Sequence, residues 1–179
     1  MFEASSYREM FEASTSSLKI VTEPRWLDET QDVAWRGLLA IVNRAVPEIE
    51  RSLKAHGLLG VHYHIFVQLS AAPERTLRLS QLADSANLSQ SRLTHRLRAL
   101  VDRGEIEVSE DPDDRRAKNA TLTAAGYERL AAIAPHHAED VQRLIFDPLT
   151  DTQTLALAAA LSKIADSLCE HPEYLNPQA

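Results

Sequence analysis

The chain has 179 residues, 44% of them hydrophobic, and a formal net charge of −7 from 19 Lys and Arg against 26 Asp and Glu. That size suits one packed domain, with or without arms, and no run approaches the eighteen apolar residues a membrane span needs. Five glycines and one cysteine, Cys169, point to a mostly helical protein without a disulfide framework.

Residues Met1 to Met10 carry Glu3, Arg8 and Glu9 and lack an apolar stretch, so no secretory signal is read there and a cytoplasmic location is expected. Met1-Phe2-Glu3-Ala4-Ser5 recurs as Met10-Phe11-Glu12-Ala13-Ser14, too short a duplication for a solenoid. Ser14 to Ser17 suggests flexibility, and Leu18 to Val21 is the one apolar run before residue 28. Residues 1–27 are therefore expected to be an extension, flexible or packed on the body.

The first long helix is expected over about Asp28 to Ala55, with Asp28, Glu29 and Asp32 at its positive end. Trp35, Leu38, Leu39, Val42, Val46, Ile49 and Leu53 form a continuous apolar stripe. Pro47 should kink the helix or open its hydrogen bonding locally, and His56-Gly57 ends it. A second helix, carrying Tyr63, Phe66, Val67 and Leu69, stops before Pro73.

The stretch from Leu79 to Leu122 is the most informative. Ser80 is a candidate cap for a short helix through Ala86, and Leu79, Leu82 and Ala83 give it a buried side. Asn87-Leu88-Ser89 turns the chain, with Ser89 as N-cap of a helix from about Gln90 to Arg103. Leu93, Leu97, Leu100 and Val101 make one apolar face. The other face carries Gln90, Ser91, Thr94, His95 and Arg98, which suit base edges in a major groove. Arg92, Arg96 and Arg103 flank it and suit phosphates. Gly104 ends the helix. Ile106 and Val108 then alternate with Glu105 and Glu107, as in a half-exposed strand. Glu110 to Arg116 has turn chemistry, and Ala120-Thr121-Leu122 returns as a partner strand. An arginine at such a hairpin tip suits a narrow minor groove. This order is that of a winged helix-turn-helix, so the fold class expected is mainly α with a small β-hairpin wing, and the function expected is DNA binding.

Charge distribution agrees. From Arg75 to Lys118 there are nine basic and eight acidic residues, and within Leu88 to Arg103 four arginines face one acid, Asp102. The second helix of the motif is cationic on an otherwise acidic body.

Beyond the wing, Thr123 is a candidate cap for a long helix through about Phe146, interrupted at Pro135 and ended by Asp147-Pro148. Thr150 or Asp151 starts the last helix, which should bury Leu157, Leu161, Ile164 and Leu168. These amphipathic helices need a surface to cover them, either a second chain or an intramolecular helical cap.

Leu82-Ala83, the run Leu88 to Thr94, Leu97, Leu100 and Arg103-Gly104 resemble the MarR family of bacterial regulators. The most specific part is the wing, Asp111 to Ala117, followed by Leu122-Thr123-Ala124-Ala125-Gly126. The resemblance runs from about Trp35 to Leu168. It implies an obligate homodimer on a near-palindromic double-stranded DNA operator, with DNA contacts from Ser89, Gln90, Ser91, Arg92, Thr94, His95, Arg96, Arg98, Asp114, Arg115 and Arg116. The minor-groove arginine is best matched by Arg116, oriented by Asp114 through a charge-assisted bond. It further implies a dimerisation helix over 28–57, a DNA-binding unit over 58–122 and dimerisation helices over 123–179. The interface would include Leu38, Val42, Leu157, Leu161, Ile164 and Leu168. The chain departs from the family pattern at Leu59 and Gly60, where a helix-capping serine is common, and at His62 and His64, where acidic residues often stand.

Such regulators commonly release DNA when a small molecule enters a cleft, here drawn from Trp35, Arg36, Leu39, His62, Tyr63 and Phe66. An aromatic with a cation suits a small aromatic or carboxylate ligand. Equally, Trp35, Tyr63 and Phe66 fit a core, with His62 and Arg36 at the surface. No histidine pair or Cys/His cluster has zinc spacing, Cys169 has no clear cationic neighbour, and no nucleophile–base pair or phosphate loop is present. No catalytic residue, metal or cofactor is therefore expected, and the chain is not expected to be an enzyme. The expectation is a dimeric, ligand-released repressor; the alternative is a winged-helix module that binds protein and lacks DNA affinity.

Overall fold

The structure, a computed structural model, describes residues 24–112, 114 and 116–168. The chain divides into two compact units at the Val46–Pro47 junction.

In the first unit, helix α1 spans Glu29–Ala40. Asp28 caps it: the Gln31 amide donates to Asp28 Oδ1 at 2.8 Å, and the Asp28 amide donates to Gln31 Oε1 at 3.1 Å. A π-helical turn, Ile41–Ala45, follows, and α2 is Val46–Ala55. The single helix expected over 28–55 is thus broken in hydrogen-bonding register. The cause is Pro47, which has no amide proton; the Val46 amide reaches back five residues to the Ile41 carbonyl.

The second unit holds the core. Helix α2 ends at Gly57 (φ +72°), with the Leu58 amide on the Leu53 carbonyl at 3.0 Å. Helix α3, Gly60–Ala71, starts at a residue with no hydroxyl to cap it. Glu50 takes that part, accepting the Gly60 amide at 3.2 Å, and a Cβ on Gly60 would collide with that carboxylate. Helix α3 is the central element, with Ile65, Phe66 and Leu69 fully enclosed.

After the tight turn Pro73–Arg75 comes β1, Thr76–Arg78, which the sequence did not announce. Helices α4 (Leu79–Ser85) and α5 (Gln90–Asp102) follow, then β2 (Ile106–Glu110) and β3 (Lys118–Leu122). The sheet is antiparallel in the order β1-β3-β2, pairing Thr76 with Thr121 and Ile106 with Leu122. The wing is therefore the outer part of a three-stranded sheet rather than a lone hairpin. Helix α4 begins one residue before the expected cap. The Arg78 amide donates to Gln81 Oε1 at 3.2 Å, and Ser80 lies inside the helix.

Helix α6, Ala124–Val141, runs through Pro135 without interruption, contrary to the sequence expectation. The carbonyl that Pro135 leaves unbonded belongs to exposed Ala131, where water can take the bond. A π-helical turn, Gln142–Phe146, completes it. Helix α7, Asp151–Leu168, is capped by Thr150 and Gln153. It buries no residue within the chain: Leu161, Ile164 and Leu168 are exposed, and Leu157 is half-buried. Their expected burial has no basis inside one chain.

Candidate nucleic-acid interface

Helix α5 is two-sided. Leu93, Leu97 and Leu100 are at most 2% exposed and anchor it against α3 and the sheet. Ser89 caps it, accepting the Arg92 amide at 3.4 Å. Gln90, Ser91, Arg92, Thr94, His95, Arg96 and Arg98 all lie on the exposed side, as the periodicity predicts. Val101, expected in the buried stripe, is 40% exposed. Two of the polar groups already have partners: the Thr94 hydroxyl donates to the Gln90 carbonyl at 2.8 Å, and Ser91 Oγ shares a bond with Ser89 Oγ at 3.1 Å. Thr94 keeps only acceptor capacity for a further partner.

The turn before α5 is set by Asn87 at φ +50°, a conformation asparagine tolerates well. The Leu88 amide closes it on the Ala83 carbonyl at 2.8 Å.

A buried ion cluster holds the far end of α5. Glu105 is 5% exposed, although the alternation of residues 105–108 put it with the solvent side of a strand. It accepts from Arg103 at 2.8 Å and Arg129 at 3.3 Å. Arg129, on α6, also donates to the Gly57 carbonyl at 2.9 Å. The end of α5, the root of β2 and α6 thus meet at one carboxylate, and Arg129 ties the end of α2 to it. Sequence reasoning missed this, because Arg129 stands far along the chain from both Glu105 and Gly57 and no local pattern links them.

The wing is organised by Asp111, which is 7% exposed and was not singled out from sequence. Its Oδ2 accepts from Arg78 Nε at 2.9 Å, its Oδ1 accepts the Asp114 amide at 3.1 Å, and its own amide donates to the Ala117 carbonyl at 3.1 Å. Asp114 was expected to orient the Arg116 guanidinium. Its carboxylate instead accepts the Arg116 backbone amide at 2.9 Å, so it shapes the turn that carries Arg116. Arg116 is exposed. Arg115 lies outside the described residues.

Between α5 and the wing lies a groove of about 420 Å³, lined by Gln90 and Thr94 on one side and Arg116 and Lys118 on the other. A second hollow of about 340 Å³, bounded by Leu88, Ser91, Arg92, His95 and Arg96, flanks α5 on its other side. The first is lined by three cations, Arg78, Arg116 and Lys118, with one acid, Asp114, and the second by Arg92 and Arg96, an arrangement suited to a polyanion.

The residues expected to line a ligand cleft are divided. Trp35, Arg36 and Leu39 belong to the first unit, where Arg36 pairs with Asp32 at 2.8 Å. In the second unit Phe66 is fully enclosed core, His62 is 6% exposed, and Tyr63 packs on His137 at 4.3 Å between ring centroids. Burial pushes the His62 pKa below the ordinary histidine value, and the nearby charges of Arg103 and Arg96 push it the same way. Burial likewise lowers His137. His64 Nε2 bonds the Ser85 carbonyl at 3.0 Å. Among the described residues no group of three or more His, Cys, Asp or Glu is placed to hold a metal, and no helix is long and apolar enough to cross a membrane. Cys169 lies outside the described residues.

The sequence profile of the MarR family matches residues 61–118. The solved structure of AbsC, a MarR family transcriptional regulator from Streptomyces coelicolor, is 33% identical; the match covers 81% of this chain and 98% of that one, with a TM-score of 0.75. This chain belongs to the MarR family. A second MarR regulator from Streptomyces coelicolor, Sco3205, solved in complex with DNA, is 32% identical over 85% of this chain and 98% of its own, with a TM-score of 0.76. MepR from S. aureus, also solved with DNA, shares the fold at 22% identity over 79% of this chain and 100% of its own, with a TM-score of 0.65. No curated protein sequence matches. The MarR resemblance read from the wing and from α5 is thereby established over nearly the whole length of AbsC and Sco3205. In this MarR chain the family's hairpin is underpinned by Asp111, the first residue of the wing run, and by Glu105, which stands outside it.

Proposed function

We propose that this protein is a DNA-binding transcriptional regulator that acts as a homodimer on a near-palindromic double-stranded operator. The observation that carries the proposal is the polarity of α5. Its leucines are locked in the core, while Gln90, Ser91, His95 and Arg98 face outward beside a wing bearing Arg116. Such a helix can enter a major groove while the wing arginine reaches the neighbouring minor groove. Arg92 and Arg96 flank the reading face and serve phosphates. The DNA complex of the relative Sco3205 supports the same reading.

The dimer follows from faces that one chain leaves uncovered. Leu161, Ile164 and Leu168 are 39%, 46% and 78% exposed, and Val42 on the first unit is 58% exposed. Such faces are covered when two copies associate, each Å² of apolar surface removed from water being worth about 25 cal/mol before association costs. The dimerisation segments are then 28–57 and 123–179, around a DNA-binding unit at 58–122. The finer proposal is that the dimer represses and is released by a small aromatic or carboxylate ligand. Its support is that α1 exposes an aromatic, Trp35, and a cation, Arg36.

A gel shift on the DNA beside the protein's own gene, run at several salt concentrations, tests the reading. Retarded complexes that weaken steeply with salt are expected, and hydroxybenzoates should dissociate them. No shift on any genomic fragment at low salt contradicts the DNA-binding reading; a shift indifferent to every such ligand contradicts only the release.

A further inference from the structure

The groove between α5 and the wing holds more cation than the reading helix and wing tip account for. Arg78 at the end of β1, Ser80 and Lys118 also line it. Neither Arg78 nor Lys118 belongs to the helix-turn-helix or to the wing tip. Arg78 ends β1 opposite Asn119, and Lys118 begins β3 one residue earlier, so both stand at the end of the sheet that borders the groove. With Arg116 they place three cations around a groove that has, among the described residues lining it, one carboxylate, Asp114, whose Oδ1 accepts the Arg116 amide.

Arg78 is also held in place. Its ion pair with Asp111 runs through Nε, the inner nitrogen of the guanidinium, at 2.9 Å. Asp111 is 7% exposed, whereas the Arg78 side chain is 46% exposed. The guanidinium is thus fixed at Nε by a buried carboxylate, while the side chain as a whole stays exposed. A guanidinium held this way is ready for a second anion at little cost in side-chain entropy. Asp111 also accepts the Asp114 amide, so the anchor of Arg78 and the anchor of the wing turn are one residue.

We infer that Arg78 and Lys118 form a phosphodiester seat in this groove, where the operator backbone passes between reading helix and wing. The inference rests on the DNA-binding reading above and adds residues to it. The seat reads no sequence. It fixes how deeply α5 sits and where the wing crosses to the minor groove.

The test uses the full-length protein and fluorescence anisotropy on two labelled duplexes, operator and scrambled, over a salt series. Each phosphate contact contributes about 0.9 to the slope of log K against log salt, and a dimer carries two copies of each residue. Arg78→Ala and Lys118→Ala should each lower the slope by about 1.8 and weaken both duplexes by the same factor, leaving the preference ratio unchanged. Arg78→Lys should keep most of the slope. Lys118→Ala alters an exposed side chain, so it reports on the seat even if Arg78→Ala disturbs the wing. Wild-type slopes in both alanine variants overturn the seat while DNA binding itself stands. Loss confined to the operator at an unchanged slope also overturns it, because that is distortion of the wing. A wild-type protein that binds neither duplex overturns both.

Discussion

Gly126→Ala tests how tightly the wing root and α6 are joined. Gly126 is the third residue of α6, and Thr123 caps the helix by accepting the Gly126 amide at 3.2 Å. The Thr123 hydroxyl donates to the Gly104 carbonyl at 2.7 Å, and the Thr123 amide donates to the Glu105 carbonyl at 3.1 Å. A methyl group on Gly126 would collide with the Glu105 carbonyl oxygen, with Leu122 Cδ1 at 2.6 Å and the Glu105 carbonyl carbon at 3.1 Å. Leu122 could rotate, but the Glu105 carbonyl is backbone held from both sides. Overpacking of this kind costs about 1–3 kcal/mol, and alanine returns up to about 1 kcal/mol of helix propensity. The expected net loss is about 1–2 kcal/mol, or a fall in Tm of roughly 2–8 °C for a chain of this size. Thermal unfolding followed by circular dichroism at one fixed protein concentration measures it. An unchanged or raised Tm would show that the wing root yields easily, and that Gly126 is present for some reason other than close approach.

Three further outcomes are expected. Arg116→Ala should weaken operator binding by about 1–3 kcal/mol and leave the dimer intact; wild-type affinity by anisotropy at fixed salt would remove Arg116 from the interface. Leu161→Glu places a charge on the exposed stripe of α7 and should abolish both dimer and operator binding, so a stable 20 kDa monomer in light scattering of the wild-type protein that still binds its operator tightly refutes the dimer. His62 titrates below 6.5 because burial and two arginines disfavour its charge. The unfolded chain therefore takes up that proton first, and stability should fall as pH drops below about 6.5. His62→Gln should flatten this slope in urea midpoints between pH 7.5 and 5.5, and an unflattened slope assigns the effect to other groups such as His137.

The reading helix was legible because its signals are local. Leu93, Leu97 and Leu100 repeat at helical spacing, Ser89 stands before them and Gly104 after. The wing was legible for the same reason, since turn residues cluster between two short apolar runs. What the sequence hid depends on distant partners. Glu105 looks solvent-facing by alternation, yet Arg103 and Arg129 make its burial tolerable. Strand β1 is three residues long and shows no alternation of its own; it exists because β3 offers an edge. Gly60 reads as an uncapped helix start until Glu50 arrives from ten residues upstream. Pro135 looks like a helix break, but it lies on an exposed side where water can satisfy the freed carbonyl. The stripe of α7 reads as apolar in the sequence, and one chain leaves it exposed, because its cover has to come from a second surface.

The central claim is that the exposed face of α5 reads bases. Arg98 is its most discriminating residue, since arginine can donate a bidentate pair of bonds to guanine O6 and N7, worth about 1–3 kcal/mol of discrimination. The measurement is the ratio of operator to scrambled-DNA affinity, by anisotropy at one salt concentration, for wild type and Arg98→Ala. The ratio should collapse in the variant by roughly tenfold or more, while scrambled DNA is bound almost as before. An equal loss on both duplexes, with the ratio preserved, would make Arg98 a backbone contact and contradict the assignment of α5 as the reading helix's base-facing side.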